Sequence, residues 1–330
     1  MTKFYASYPE GRPRRLRRTA GMRALVRETS LEPRHLIQAV ILREEADPSE
    51  VKALDGVKRM TPAEAAEAAV RARDLGLGGL ALFPYTKTSD RDASGSLAFD
   101  EGNLMGRAAQ AIKEAAPEMV IIGDVALDPY TDHGHDGLMG EDGTILNDPT
   151  IEALCRQALA LARCGFDMVA PSDMMDGRVG RIRKALDGEA FEDTGILSYA
   201  VKYASVFYGP YRDAVGSRGA LKGDKRTYQM DPANALEGLK EAALDISEGA
   251  DMVMVKPGLP YLDMITRVKD KFGAPTVAFQ VSGEYAMLKE ASKAGAFDFQ
   301  SAMMEALICF RRAGADAVIT YAAEEMAGLL

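Results

Sequence analysis

Eight short apolar runs, each followed by a stretch with helical character, constrain this chain more than any other feature. They are His35 to Leu42, Gly79-Leu-Ala-Leu-Phe-Pro84, Met119-Val-Ile-Ile-Gly-Asp124, Phe166-Asp-Met-Val-Ala-Pro171, Gly195 to Val201, Met252 to Lys256, Pro275 to Gln280 and Ala315 to Thr320. The sixth, Met252-Val-Met-Val255, shows no polar alternation, which marks a strand buried on both faces of a parallel sheet. Thr61-Pro-Ala-Glu64 opens a helix with an N-cap, a proline in the first turn and a glutamate three residues on. Further helices are expected at about 101–115 and 149–164, through Arg183, and near 284–294 and 298–313. Repeated βα units of this kind close most economically into a (β/α)8 TIM barrel of class α/β with an N-terminal extended arm. A doubly wound open sheet is the alternative, but the glycine-rich dinucleotide loop it would carry after the first strand is absent. At 330 residues and 47% hydrophobic, the chain can bury one such barrel plus extensions.

The opening segment breaks the pattern. Residues 1–30 hold Lys3, Arg12, Arg14, Arg15, Arg17, Arg18, Arg23 and Arg27 against Glu10 and Glu28, while the whole chain carries a net charge of -9. With no apolar core, the segment is not a secretory signal. It reads as a basic arm lying on an acidic neighbouring subunit, with disorder as the alternative, and leaves 31–330 as the catalytic barrel. The acidic balance argues against nucleic acid as a partner. No run approaches eighteen apolar residues, so no membrane span is expected. Cys155, Cys164 and Cys309 are odd in number and scattered, which suggests a reducing, cytoplasmic setting without a disulfide framework.

Two strands end in lysine. Lys256 closes its apolar run, Pro257 cannot donate to a sheet ladder and Gly258 frees the chain to turn. Lys202 stands just past the fifth run. In a βα barrel these strand ends form the catalytic rim. One such lysine is ordinarily a solvated residue, but two on adjacent strands point to amine chemistry on carbonyls. A nucleophilic amine must be neutral, so burial and a second nearby ammonium have to lower a pKa that is ordinarily near 10.4. Paired lysines can each form a Schiff base with a ketone, which points to the joining of two keto compounds. Asp124 ends the third strand, Ser172 and Asp173 follow the fourth, and Asp176 lies a turn further on. All are expected to face the lysines as proton carriers or amine-orienting groups. Ser282, Thr320 and Tyr321, at the seventh and eighth strand ends, offer hydroxyls for a substrate carboxylate, although such hydroxyls often bond nearby backbone instead. Residues 203–231 contain four glycines and five basic residues before Thr227, among them Arg212, Arg218, Lys222 and Lys225. They read as a mobile cationic lid over a carboxylate-bearing substrate, with Lys225 among its binding cations; a long solvated excursion is the plainer reading.

With these residues assembled, the chain from about residue 14 to its C-terminus resembles the porphobilinogen synthase (5-aminolaevulinate dehydratase) family. The resemblance rests on Ala170-Pro-Ser-Asp-Met-Met-Asp-Gly-Arg178, Tyr208-Gly-Pro-Tyr-Arg-Asp213, Met252-Val-Met-Val-Lys-Pro257 and Gln280-Val-Ser-Gly-Glu-Tyr285. It implies an α/β barrel whose arm embraces a neighbour in a homo-octamer or hexamer. It also implies a lyase of tetrapyrrole biosynthesis that condenses two 5-aminolaevulinate molecules into porphobilinogen. Carried over residue by residue, Lys256 becomes the Schiff-base lysine of the P site and Lys202 that of the A site. Arg212 and Gln229 would hold the A-site carboxylate, Ser282 and Tyr321 the P-site one, and Asp124 and Ser172 would lie beside the A-site amino group. Zinc-dependent members carry three cysteines where this chain has Ala126, Asp128 and Asp136, a poor donor set for an ion that prefers thiolate and imidazole. No zinc requirement is therefore expected, with His133 and His135 as the residues that would hold any ion. The family's peripheral magnesium position matches Glu241, so an allosteric magnesium, or no metal, is the expectation. Two rivals stand: a lysine-dependent aldolase or dehydratase acting on one keto acid, and a barrel kept as a binding oligomer without turnover.

Overall fold

The computed structural model describes residues 6–216, 221 and 223–330. Eight parallel strands form one continuous ladder: β1 (Leu36–Leu42), β2 (Gly79–Pro84), β3 (Ile121–Val125), β4 (Met168–Pro171), β5 (Gly195–Lys202), β6 (Met252–Lys256), β7 (Thr276–Phe279) and β8 (Ala317–Thr320). Each pairs with the next, and β1 pairs back to β8 through Leu36↔Val318, Ile37↔Ile319 and Gln38↔Thr320, so the sheet closes. A two-residue strand, Arg59–Met60, extends the ladder beside the end of β1. The expected TIM barrel is thus the observed one.

Burial explains why the apolar runs became strands. Every residue of β1, β2, β3 and β7 is buried, because barrel interior covers one face and helices cover the other. The helices are α1 (Ala20–Leu25), α2 (Pro62–Asp74), α3 (Leu104–Ala115), α4 (Asn147–Arg163), α5 (Arg178–Gly188), α6 (Gly209–Ala214), α7 (Leu236–Ser247), α8 (Leu262–Phe272), α9 (Ser282–Lys293), α10 (Phe299–Ala313) and α11 (Ala323–Ala327). The capping box of α2 forms as its sequence requires: Thr61 Oγ1 accepts the Glu64 N–H at 3.2 Å, and Glu64 Oε2 accepts the Thr61 N–H at 2.7 Å. A cap of this kind stabilises its helix by about 1 kcal/mol.

Several boundaries differ from expectation for local reasons. The third helix starts at Leu104 rather than near 101, because the Asn103 side chain accepts the Gly106 N–H at 3.0 Å and so sets the N-cap. Helix α5 runs past Arg183 to Gly188. Lys202 lies inside the ladder, paired with Lys256, rather than beyond the strand end. The 203–231 connection is not a bare loop: it contains α6, and Tyr203 bridges Met230 in parallel fashion. Arg218 and Lys222 of the expected lid, and Lys3 of the expected arm, lie outside the described residues.

Candidate active site

Closing the barrel brings Lys202 and Lys256 to the same height on neighbouring strands, as direct register partners at the C-terminal rim. Both are almost fully buried, 5% and 6% exposed. Their surroundings differ. The Lys256 ammonium position lies 4.6 Å from the Phe279 ring centroid, 4.7 Å from Tyr199, and 5.4 Å from both Tyr208 and Tyr211. Lys202 instead reaches Asp136 Oδ1 at 3.3 Å and hydrogen-bonds the Ser172 carbonyl.

The electrostatics follow from this asymmetry. Burial, reinforced by repulsion from Lys202, lowers the Lys256 amine to about 7 despite the attraction of Asp124, Asp128 and Asp136. The aromatic faces attract an ammonium by about 0.5–2 kcal/mol, which is not enough to offset the lost hydration. A lysine near 7 presents a substantial neutral fraction at neutral pH, as an amine nucleophile must. Burial likewise raises Asp124 to about 6, opposed by Lys256 and assisted by Asp128. Its Oδ1 has no hydrogen-bond partner among the described residues. For Asp136 burial works upward, but Lys202, Lys225 and the Tyr228 hydroxyl hold the carboxyl well below the usual range. Two buried carboxylates at one mouth are thereby driven to opposite protonation behaviour, which is how acid and base roles are separated.

Asp124, Ser172, Lys202, Arg212, Lys225, Gln229 and Lys256 all line one cavity, together with Asp128, Asp136, Tyr208 and Tyr211. Arg212, from α6, makes no ion pair among the described residues and so presents a free guanidinium to that cavity. Lys225 was expected to bind substrate, but its ammonium bridges Asp128 Oδ2 at 3.1 Å and Asp136 Oδ2 at 2.7 Å. Burial lowers its pKa, but those two carboxylates outweigh that and raise it. Ser282 Oγ accepts the Tyr211 N–H at 2.8 Å and lies 3.5 Å from the Phe207 carbonyl, so it braces α6 and the turn before it. The buried Tyr321 hydroxyl has no partner among the described residues. Thr320 Oγ1 donates to Gln280 Oε1 at 2.6 Å.

Two acids depart from expectation. Asp173 does not line the lysine cavity; it accepts the Met175 N–H at 2.7 Å and sits 3.8 Å from the buried Arg178 guanidinium. Asp176 lies in a separate groove beside Glu237 and Glu241, where its N–H donates to Asn147 Oδ1. The β4–β5 connection bends through Met174 in the left-handed region before reaching Asp176, while Asp173, ahead of the bend, is held by the Met175 N–H and Arg178. Conversely, Tyr199, Tyr208, Tyr211 and Phe279 had no assigned role in the sequence reading. The tyrosines of Tyr208-Gly-Pro-Tyr211 were the only available signal, because proximity to Lys256 is created by the fold.

The zinc positions do not fit zinc. Ala126 has no donor atom, and Asp128 and Asp136 already share the Lys225 ammonium, so a cation stands between the two remaining carboxylates. His135 Nδ1 lies 3.0 Å from the Tyr228 hydroxyl, and His133 Nδ1 accepts the His135 N–H at 3.3 Å. Among the described residues no group of three or more His, Cys, Asp or Glu side chains is arranged to hold an ion. At Glu241, burial raises the carboxyl, partly opposed by Arg178.

Comparison with known proteins supplies the remaining evidence. The family model described as delta-aminolevulinic acid dehydratase matches residues 10–329. A delta-aminolevulinic acid dehydratase of Bradyrhizobium diazoefficiens is 53% identical over 317 residues, covering 96% of this chain and 90% of the relative. One from Rhodobacter capsulatus is 49% identical, covering 100% and 99%. Among solved structures, the Toxoplasma gondii ME49 delta-aminolevulinic acid dehydratase (porphobilinogen synthase), in complex with the reaction product porphobilinogen, superposes with a TM-score of 0.95 at 46% identity. That match covers 97% of this chain and 91% of the other.

Proposed function

The chain belongs to the delta-aminolevulinic acid dehydratase family, and on that premise we propose the residue roles by which it condenses two 5-aminolaevulinate molecules into porphobilinogen. It is a hydro-lyase of tetrapyrrole biosynthesis, and the reaction releases two waters. One observation carries the assignment of roles: two buried lysines are register partners at the barrel rim, and burial beside the other lowers the amine of one, Lys256, to about 7.

In this reading Lys256 attacks the ketone of the P-site substrate and Lys202 that of the A-site substrate, each attack releasing water as a Schiff base forms. The difference in their surroundings suits sequential loading. Lys256, near 7, supplies a neutral fraction of amine at neutral pH, whereas Lys202 is held against Asp136 and the Ser172 carbonyl. Asp124, near 6, is mostly ionised at neutral pH and accepts and returns protons while the carbon–carbon and carbon–nitrogen bonds form and the two lysine–carbon bonds break, returning both lysines as free amines. Ser172, on the same cavity wall, orients the A-site amino group. Arg212 and Gln229 hold the A-site carboxylate. Tyr321, with its unpartnered hydroxyl, and Ser282, once released from Tyr211, hold the P-site carboxylate. A single-keto-acid aldolase would need only one lysine, and the paired register favours the two-substrate reaction.

No zinc is required on this reading. Zinc would supply a Lewis acid and a water of lowered pKa; here Lys225 supplies the positive charge between Asp128 and Asp136, and Asp124 supplies the proton transfer. Activity is expected to persist within about twofold after exhaustive dialysis against phenanthroline, and elemental analysis to find no stoichiometric zinc. Loss of turnover restored only by zinc would overturn this. Magnesium, if it acts, belongs in the groove of Glu241 and Asp176, away from the lysines.

The arm, residues 1–30, is an assembly device in a homo-oligomer, a hexamer or octamer. Its described part is exposed: Pro13–Arg17 and Ala20–Leu25 bury nothing, and Leu25 stands 80% exposed. Apolar groups left uncovered on an ordered segment call for a covering surface, and the barrel's acidic balance suits the arm's arginines. Deleting residues 1–30 is expected to give smaller particles in light scattering; an unchanged size would reject the assignment. No helix among the described residues is long and apolar enough to cross a membrane. The three free cysteines support a reducing, cytoplasmic setting.

A further inference from the structure

Beneath the rim, one buried carboxylate outside the cavity holds together three parts of the P site. Glu284, in the first turn of α9, is fully buried. Its Oε1 accepts the Leu259 N–H at 2.5 Å, and its Oε2 accepts those of Gly258 at 3.2 Å and Val281 at 2.7 Å. Gly258 is two residues past Lys256, and Val281 directly precedes Ser282, so one side chain binds the segment carrying the nucleophile to the segment carrying the carboxylate-binding hydroxyl. Both contacts are close-packed. A side chain at Gly258 would come within 2.3 Å of the Phe310 ring, and one at Gly283 within 2.4 Å of the Phe207 carbonyl. Before substrate binds, Ser282 Oγ also accepts the Tyr211 N–H of α6.

We propose that Glu284 is a positioning residue for the P site: its carboxylate fixes the height of Lys256 relative to Ser282, so that nucleophile and carboxylate anchor are held as one unit. The inference rests on the assignment of Lys256 as a Schiff-base lysine. An ionised carboxylate suits the task because it is acceptor-only and can take three N–H donors without reorientation; burial pushes Glu284 up to about 7, and the N–H groups of Leu259, Val281 and Gly258 are what favour the ionised form against that desolvation. Glutamine cannot take all three. Whichever way its amide is turned, an NH2 group faces either Leu259 or the Gly258 and Val281 pair, leaving a donor against a donor. Lys202, on the neighbouring strand, makes no contact with Glu284 and provides an internal control.

The experiment is borohydride trapping in the presence of 5-aminolaevulinate, with peptide mapping of the label at Lys202 and Lys256 in the full-length protein. Wild type tests the underlying reading: absence of label at Lys256 would reject the Schiff-base role itself, independently of Glu284. In Glu284→Gln, label at Lys256 relative to Lys202 is expected to fall about tenfold, and kcat with it, since small displacements of a reacting group carry costs of that order. A merely structural role would lower the melting temperature and leave the ratio of labels alone. A ratio and kcat within about twofold of wild type overturn the proposal, whatever the melting temperature. Should Glu284→Gln fail to fold, Glu284→Asp, which keeps the charge but shortens its reach, is judged by the same ratio.

Discussion

Lys256→Met is expected to reduce pyrrole formation below about one percent of wild type while leaving the barrel folded, because no other amine can replace a covalent nucleophile at that point. The stability effect has the opposite sign to the catalytic one. Lys256 titrates near 7 in the folded chain and near its ordinary 10.5 when unfolded. Between those values the unfolded state binds the extra proton, so wild-type stability rises with pH from about 7 to about 10.5 and is least below 7. Methionine fills a similar volume among Tyr199, Tyr208, Tyr211 and Phe279 without a charge to desolvate, so the variant should melt no lower than wild type at neutral pH and lose that part of the pH slope. Trapping at Lys256 in the wild type should increase as pH passes upward through about 7. In Lys202→Met the repulsion from the second ammonium disappears, and the midpoint should move to higher pH. Residual turnover of more than a few percent in Lys256→Met, or an unmoved midpoint in Lys202→Met, would contradict the paired-lysine account.

Arg212→Ala is expected to raise the substrate concentration needed for half-maximal rate by between about tenfold and about a hundredfold. A charge-assisted contact to a carboxylate contributes about 1.5–3 kcal/mol, and each 1.4 kcal/mol is a factor of ten. The guanidinium lines the lysine cavity and makes no ion pair among the described residues, so its removal strands no protein carboxylate and the fold should tolerate it. Lys225→Ala contrasts with it, because Lys225 is locked between Asp128 and Asp136 and its loss leaves the buried Asp128 without its ion pair and Asp136 with Lys202 alone. A substrate dependence in Arg212→Ala equal to wild type, measured at steady state over a wide concentration range, would remove Arg212 from carboxylate binding.

Much of the fold was legible because the barrel's constraints are local. Gly79–Pro84 and Met252–Lys256 appear as strands where apolar runs meet glycine or proline, and the α2 start is written in Thr61, Pro62 and Glu64. Errors gathered where a side chain chose between two neighbouring options, as when Asn103 rather than Glu101 set the start of α3. Polar residues after β4 were harder to place: Ser172 reaches the cavity, but Asp173 is held by Arg178 and the Met175 N–H, and Asp176, beyond the left-handed Met174, lies in the Glu241 groove, contacts that exist only in the folded chain.

The sequence by itself determined that this chain would close an eightfold βα ladder and carry two lysines to its rim, since strand periodicity, helix caps and strand-ending prolines act over a few residues. Only the tertiary structure decided what those lysines are chemically. The pairing of Lys202 with Lys256, the four rings around one amine, the Asp136 partner of the other and the ammonium of Lys225 between two carboxylates join residues up to about a hundred positions apart. A pKa is set by burial and by charges within several ångströms, and those distances exist only once the barrel has closed.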